Sequence, residues 1–121
     1  MAYVEIYVLP VKTDQLDEYR KIAVEAAELW LLLRALSVTE AVAENAPYGT
    51  LTSFPRAVIL DSEETVVMAC LTFRDRAHRN AAMIQTEKVP RMIELFETAP
   101  IDVDRMIWGG FEVFVDLKAA A

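Results

Sequence analysis

The chain has 121 residues and a formal net charge of −7. Nucleic-acid binding depends on clustered Lys and Arg that displace counterions from phosphates, and anionic membranes attract the same residues, so neither partner is expected. The hydrophobic fraction of 55% is high for a small domain, and the surplus is expected to line an interface, a ligand pocket, or both.

The single cysteine and the shortness of the apolar runs indicate the cellular compartment of the protein. Cys70 is the single cysteine, so no internal disulfide is possible, which suits a reducing environment. Residues 1–10 have no basic segment, so no signal peptide is expected. No apolar run approaches the roughly 20 residues that span a bilayer. We therefore expect a cytoplasmic protein.

Strands and helices are predicted to alternate along the chain. A strand is expected over residues 4–9, and then a helix that Thr13 or Asp14 caps and whose apolar residues recur at helical spacing as far as Leu33. The pattern continues with a strand at 39–44, a hairpin of strands at 57–60 and 65–73, a helix capped by Asp75, a helical piece at 91–97 after Pro90, and a strand at 106–116 with a bulge at Gly109 and Gly110.

This order is the split βαβ pattern of a ferredoxin-like α+β fold with an antiparallel sheet. With 3 glycines and no linker or repeat, one domain over residues 1–117 is expected, with a disordered tail at 118–121. Two helices would cover one face of the sheet. The other face is also apolar, so we predict a homodimer in which a second sheet covers it, forming a dimeric α+β barrel.

Several segments of the chain carry a resemblance to a known family. They are TSFPRAV at 52–58, ETVV at 64–67, RAHR at 76–79, PRM at 90–92 and RMIWGGFE at 105–112. These segments resemble the signature segments of the YbaA-like family, which has no assigned function and belongs to the dimeric α+β barrel superfamily. The resemblance runs from about residue 3 to 116. It implies the fold and a dimer, and it implies no activity.

The chain departs from the family pattern at Leu33, Met68, Cys70, Met83 and Trp108. Most of these departures replace polar or bulky groups with softer or smaller apolar ones. The resemblance implies a ligand cavity between the helices and the sheet. Cys70 in place of an indole would enlarge such a cavity by on the order of 100 Å³, and leaving that volume empty would cost several kcal/mol. We therefore expect an apolar small-molecule ligand.

Few residues offer other chemistry. One histidine, His78, and one cysteine do not make the three or four convergent ligands that a metal needs, and no glycine-rich phosphate loop is present, so no metal and no cofactor is expected. His78 is interpreted as a structural residue and Cys70 as a small apolar one. Glu5 and Glu40, on predicted strands, are interpreted as solvent-facing or paired, or else as a buried acid of raised pKa.

The candidate catalytic residues are Arg56 and Tyr7, either of which could hydrogen-bond a ligand carbonyl. For Arg56 the alternative is an ion pair within the dimer or with Glu112. Core packing is the alternative explanation for the candidate substrate-binding residues, which are Trp30, Leu33, Phe54, Met68, Cys70, Met83 and Trp108.

The leading hypothesis is a cofactor-independent cyclase or isomerase that acts on a large apolar polyketide- or polyene-like molecule, including pericyclic ring closure by cycloaddition. Holding a flexible chain near its reactive fold removes much of the entropic barrier. One alternative is a cofactor-free monooxygenase on a phenolic substrate, which needs a polar proton acceptor in the pocket. Another is a binding or stress-related dimer without catalysis. A filled core at Leu33, Cys70 and Met83 would exclude the cyclase.

Overall fold

Four antiparallel strands form one sheet in the order β2-β3-β1-β4 in the computed structural model, which describes residues 2–120. This order and the alternation of strands with helices confirm the ferredoxin-like α+β fold. A single 3₁₀ turn, Thr13–Gln15, precedes the first helix. The elements are β1 (Tyr3–Lys12), α1 (Leu16–Leu32), β2 (Ser37–Val42), α2 (Phe54–Ala57), β3 (Glu64–Phe73), α3 (Arg76–Thr86), α4 (Pro90–Thr98) and β4 (Ile107–Glu112).

The strand predicted at 57–60 is wrong, because that segment begins with the last residue of a short helix and continues into a turn. Ser53 caps α2 by accepting a hydrogen bond from the Arg56 backbone N–H at 3.1 Å, and Pro55 lies in the first turn, where proline favours a helix. The chain then turns through Ile59, whose φ is +50°. The predicted tight hairpin is therefore a long connection from β2 to β3 that contains α2.

The last strand also differs from the prediction. Pairing of β4 with β1 is continuous from Ile107 to Glu112, so the bulge predicted at Gly109 and Gly110 is wrong. A side chain at Gly110 would collide with Tyr3, whose hydroxyl would lie 2.3 Å from the added Cβ, so close approach explains this glycine. Residues 113–120 form neither helix nor strand. The tail predicted at 118–121 includes Ala121, which lies outside the described residues.

Alternation along the strands gives the sheet two apolar faces. The face covered by helices carries Tyr7 and Leu9 of β1 with Ala69, Leu71 and Phe73 of β3. All of these except Ala69 belong to two core clusters that include side chains of α1 and α3. The opposite face, which we name the open face, is only partly buried. It carries Ile6, Val8, Met68, Cys70, Ile107 and Phe111.

A buried ion pair joins α3 to β1. Glu5 is 0% exposed, and its carboxylate lies 2.6 Å from the Arg79 guanidinium. Arg79 also donates a hydrogen bond to the Tyr3 hydroxyl at 3.3 Å and lies 4.9 Å above the centre of the Tyr3 ring. Glu5 is therefore a paired strand carboxylate, one of the alternatives that the sequence left open.

Removing the cation should destabilise the fold. We expect Arg79→Met to lower the free energy of unfolding by about 3–5 kcal/mol, because the Glu5 carboxylate would stay buried without a counter-charge. Chemical denaturation measures the change. The matched control is Arg91→Met, since Arg91 pairs with Glu25 at the surface, where an ion pair contributes little. Equal losses in the two variants would contradict this account.

Candidate functional site

A cavity of about 420 Å³ lies between the covered face of the sheet and helices α1, α3 and α4. Its wall on α1 is a stripe of residues at helical spacing, in which the small Ala23 and Ala26 stand between the large Tyr19 and Trp30. Apolar side chains of α4 such as Phe96 close another side. The volume is within the range of about 300–1,000 Å³ that small-molecule sites occupy.

Three polar groups of the sheet and α1 lie in this mainly apolar lining. Tyr19 donates a hydrogen bond from its hydroxyl to the carboxyl group of Glu40 on β2, and Tyr7 contributes a second hydroxyl from β1. Within residues 2–120 the Tyr7 hydroxyl has no hydrogen-bond partner, so it is available to a ligand. Of these three groups, the Tyr7 hydroxyl is a free donor and the Glu40 carboxyl group is an acceptor. The lining also includes two carboxyl-bearing residues on the helical side, Glu87 at the end of α3 and Glu97 of α4.

The apolar surroundings change the acidity of all three groups. Burial, and then the negative charge of Glu5, raise the pKa of Tyr7 to about 12, against a smaller opposing effect of Arg79. Burial and the neighbouring Glu40 also raise the pKa of Tyr19. Burial raises the pKa of Glu40, while the hydrogen bond from Tyr19 opposes the rise. Glu40 lies on an edge strand and retains contact with solvent, so the rise is smaller than complete burial would cause.

Three of the predicted site residues line the cavity, namely Tyr7, Trp30 and Met83. Leu33 does not, because it caps the end of α1 just beyond the cavity wall. Trp108 lies opposite Tyr7 on the edge strand β4, but it is 65% exposed and outside the lining. Of these candidates, Tyr7, Trp30 and Met83 therefore lie together at one cavity, while Leu33 and Trp108 lie outside it.

Met68 and Cys70 lie on the open face, which corrects their predicted place beside α1. Cys70 pairs with Ile6 and Met68 pairs with Val8, whereas Ala69 pairs with Tyr7 on the covered face. Side chains along a strand alternate between faces, so a small residue at position 70 cannot enlarge the cavity. Burial raises the pKa of the Cys70 thiol, in keeping with its interpretation as a small apolar residue.

Arg56 and Phe54 lie in α2, outside the cavity lining. The Arg56 side chain donates hydrogen bonds to the Tyr48 carbonyl at 2.9 Å and the Gly49 carbonyl at 3.4 Å. Its guanidinium also lies 5.6 Å from the centre of the Tyr48 ring. Arg56 therefore holds the connection between β2 and β3, and among the described residues it does not pair with Glu112. An ion pair of Arg56 within the dimer stays a prediction.

His78 has a structural role, as the sequence suggested. Its Nδ1 accepts a hydrogen bond from the Arg74 backbone N–H at 3.0 Å, and its backbone N–H donates to the Asp75 side chain, the cap of α3, at 2.8 Å. In the described part of the chain no three His, Cys, Asp or Glu side chains gather as metal ligands would. None of the helices there combines the length and the hydropathy needed to cross a bilayer, and the cytoplasmic location stays a prediction.

The pairing of Tyr19 with Glu40 could not be found from the sequence. By its spacing, Tyr19 falls on the apolar face of a helix, and Glu40 is a carboxylate on a predicted strand. The two residues are 21 positions apart, and no motif connects them. A carboxylate in the middle of a short strand was the one available signal.

Comparisons with known proteins confirm the resemblance found in the sequence. Residues 2–103 match the family described as protein of unknown function (DUF1428). The uncharacterized protein YbaA of Escherichia coli is 38% identical over 116 residues, which are 96% of this chain and 99% of that protein, and YbaA of Shigella flexneri gives the same values.

Solved structures share the fold at low sequence identity. SnoaB, a cofactor-independent oxygenase from Streptomyces nogalater, has a TM-score of 0.65 and 13% identity, with 98% of each chain covered. A candidate antibiotic biosynthesis monooxygenase from Nitrosomonas europaea has a TM-score of 0.54 and 14% identity, covering 91% of this chain and 86% of that one. Rv0793 from Mycobacterium tuberculosis has a TM-score of 0.57 and 11% identity, covering 98% and 100%. At such identities the similarity shows the fold alone.

The hydrogen bond from Tyr19 should control the acidity of Glu40. We expect the pKa of Glu40 to lie above its usual 4.5 and to rise further in Tyr19→Phe, because the ionised carboxylate loses a donor. Carbon-13 NMR of the carboxyl group during a pH titration measures both values. Tyr48→Phe, at an exposed tyrosine, is the control and should leave the titration unchanged. A lower pKa in Tyr19→Phe would contradict the geometry.

Proposed function

We propose that this chain, which belongs to the DUF1428 family of proteins of unknown function, is a cofactor-independent oxygenase that acts on a hydroxylated aromatic small molecule. The observation that carries the proposal is the Glu40 carboxyl group, which accepts a hydrogen bond from Tyr19 on the sheet side of a mainly apolar cavity. A monooxygenase of this kind needs such a proton acceptor. The fold shared with SnoaB, a cofactor-independent oxygenase, supports the reaction class.

The cavity supplies what a direct reaction with O₂ needs. The Glu40 carboxylate removes a proton from an activated ring CH₂ group, and the carbanion adds O₂ and regains a proton to form a hydroperoxide. Loss of the second proton from that carbon, with cleavage of the O–O bond, gives a ketone and water. The balance is CH₂ + O₂ → C=O + H₂O. A raised pKa makes the Glu40 carboxylate a stronger base than a carboxylate of ordinary pKa.

Tyr7 stabilises the charge that deprotonation creates. With a pKa of about 12, its phenol keeps its proton at neutral pH and can donate to the oxygen on which the negative charge of the carbanion is delocalised. A donor placed where charge develops in an apolar site lowers the barrier. Tyr7 therefore keeps the role of hydrogen-bond donor to the ligand that the sequence suggested, while Arg56 has no part in it.

A cyclase or isomerase of polyketide- or polyene-like molecules is a second candidate function, with less support. Met68 and Cys70 no longer support it, because these residues lie on the open face and not at the cavity. The cavity wall formed by Trp30, Met83 and Phe96 still suits a flat or folded apolar molecule. Ring closure consumes no O₂, so oxygen uptake separates the two reactions.

The role of Glu40 as the base is tested with anthrone, a three-ring molecule whose CH₂ group is acidified by a conjugated carbonyl. We expect oxygen uptake and anthraquinone formation, and a kcat lower by on the order of 10²–10⁴-fold in Glu40→Gln, because the amide cannot accept the proton. An oxygen electrode and absorbance follow the reaction. Glu44→Gln, at an exposed residue outside the cavity, is the matched control. Equal rates in the wild type and Glu40→Gln would exclude Glu40 as the base.

We also propose that a second copy of the chain covers the open face. Ile6, Met68 and Cys70 are half-buried, and Phe111 is 58% exposed on the same face. An apolar face of this kind is typical of an interaction site, and two copies related by a two-fold axis would cover each other's faces.

Disruption of the open face should produce a monomer. We expect the wild type to have twice the chain mass of 13.7 kDa in light scattering coupled to size-exclusion chromatography. Phe111→Lys would place a charge in the apolar interface, and this variant is expected to have the mass of one chain. Ile84→Lys, at an exposed position of α3, is the control and should stay dimeric. A monomeric wild type would contradict the proposal.

A further inference from the structure

Three residues of the cavity form one row across the sheet. Tyr7 on β1 lies directly opposite Ala69 on β3, and Ala69 lies directly opposite Glu40 on β2. All three line the cavity. Neighbouring strands are about 4.8 Å apart, so the Cα atoms of Tyr7 and Glu40 are about 10 Å apart with Ala69 between them. We name these three residues the sheet row.

Ala69 leaves the middle of the sheet row open. It is 5% exposed, and the next residues of β3 on the same face are the larger Val67 and Leu71. Since a methyl group fills little space, the volume above Ala69 belongs to the cavity, between a phenol on one side and a carboxyl group on the other. A larger side chain at this position would fill that volume.

The two ends of the sheet row require different partners. The Tyr7 hydroxyl makes no hydrogen bond to the described residues, so it can donate to a ligand oxygen. The carboxyl group of Glu40 accepts one bond from Tyr19 and has further lone pairs for a ligand hydroxyl. A ligand that satisfies both ends must accept at one oxygen and donate at another.

The width of the sheet row sets the distance between those two oxygens. Side chains stand roughly perpendicular to a sheet, so the separation of the two groups follows that of the strands. Subtracting a hydrogen bond of about 2.8 Å at each end from about 10 Å leaves about 4–5 Å. Oxygens in a 1,3 relation on one aromatic ring are separated by this distance, whereas oxygens in a 1,2 relation are only about 2.8 Å apart, one hydrogen-bond length.

We propose that the ligand of this cavity carries two oxygen substituents in a 1,3 relation on one aromatic ring, one bound by Tyr7 and the other by Glu40. Ala69 determines specificity, because it leaves room for that ring between them. The inference rests on the cavity being the ligand site of the proposed function, and it does not depend on O₂ as the co-substrate.

The test measures binding under nitrogen, by isothermal titration calorimetry, of naphthalene-1,3-diol and its two single-hydroxyl analogues, 1-naphthol and 2-naphthol. The wild type is expected to bind the diol about tenfold more tightly than either naphthol, since one added hydrogen bond in an apolar site is worth about one power of ten. Tyr7→Phe and Glu40→Gln should each reduce this preference to about threefold or less.

The variant Ala69→Leu tests whether the ligand occupies the volume above Ala69. We expect it to weaken binding of all three probes by at least about tenfold, while Ala81→Leu, the same change at an exposed position of α3, leaves binding unchanged. Circular dichroism confirms that each variant is folded, and Ala69→Val replaces Ala69→Leu if the larger residue prevents folding. The preference for the diol should survive in Ala81→Leu.

The outcomes separate this inference from the oxygenase. Equal binding of diol and naphthols, absence of binding, or a diol preference that survives in both Tyr7→Phe and Glu40→Gln would overturn the sheet-row proposal. A diol preference in a protein that fails to consume O₂ with anthrone would support the sheet row and exclude the oxygenase. Oxygenation of anthrone without a diol preference would support the oxygenase and overturn the sheet-row proposal.

Discussion

The pairing of β1 with β3 over ten residues, from Tyr3 opposite Phe73 to Lys12 opposite Glu64, is the constraint on which the rest of the structure depends. Because side chains alternate between faces, a slip of one residue in either strand would exchange its two faces. A slip of β1 would move the Glu5 carboxylate away from Arg79 and onto the open face. Since a buried charge without its partner is costly, the ion pair of Glu5 and Arg79 specifies the register as well as joining α3 to the sheet.

The cavity follows from where small residues fall in this register. Ala69 on β3 and the pair Ala23 and Ala26 on α1 stand where large side chains would otherwise meet, with Trp30 and Tyr7 at the margins. Atoms that line an empty volume lose the dispersion contacts that a packed core provides. A ligand restores those contacts, so the same distribution of side-chain sizes that weakens the packing favours binding of a flat apolar molecule.

Local signals in the sequence were sufficient for the fold and insufficient for the site. The order of elements, the cap at Asp75 and the helix after Pro90 could be predicted because each depends on neighbouring residues. The segment at 57–60 could not, since its β-branched residues suggest a strand while the cap at Ser53 starts a helix. Tyr7, Trp30 and Met83 line the cavity, and their role in binding stays a prediction. Met68 and Cys70 were predicted on the wrong face. The sequence shows that alternate residues of β3 share a face, but only the pairing with β1 shows which set lies under the helices.

The ion pair of Glu5 and Arg79, next to the sheet row on the covered face, links the stability of the fold to the chemistry of the cavity. The negative charge of Glu5 is one cause of the raised pKa of Tyr7, and Arg79 partly cancels it. Glu5 and Tyr7 alternate with the open-face residue Ile6 along β1 and therefore share the covered face. Glu5 thus adds to the effect of burial, which is the main cause of the raised pKa of Tyr7, while Arg79 opposes it. A substitution that broke the ion pair while the fold survived would change the donor strength of Tyr7 without touching the ligand.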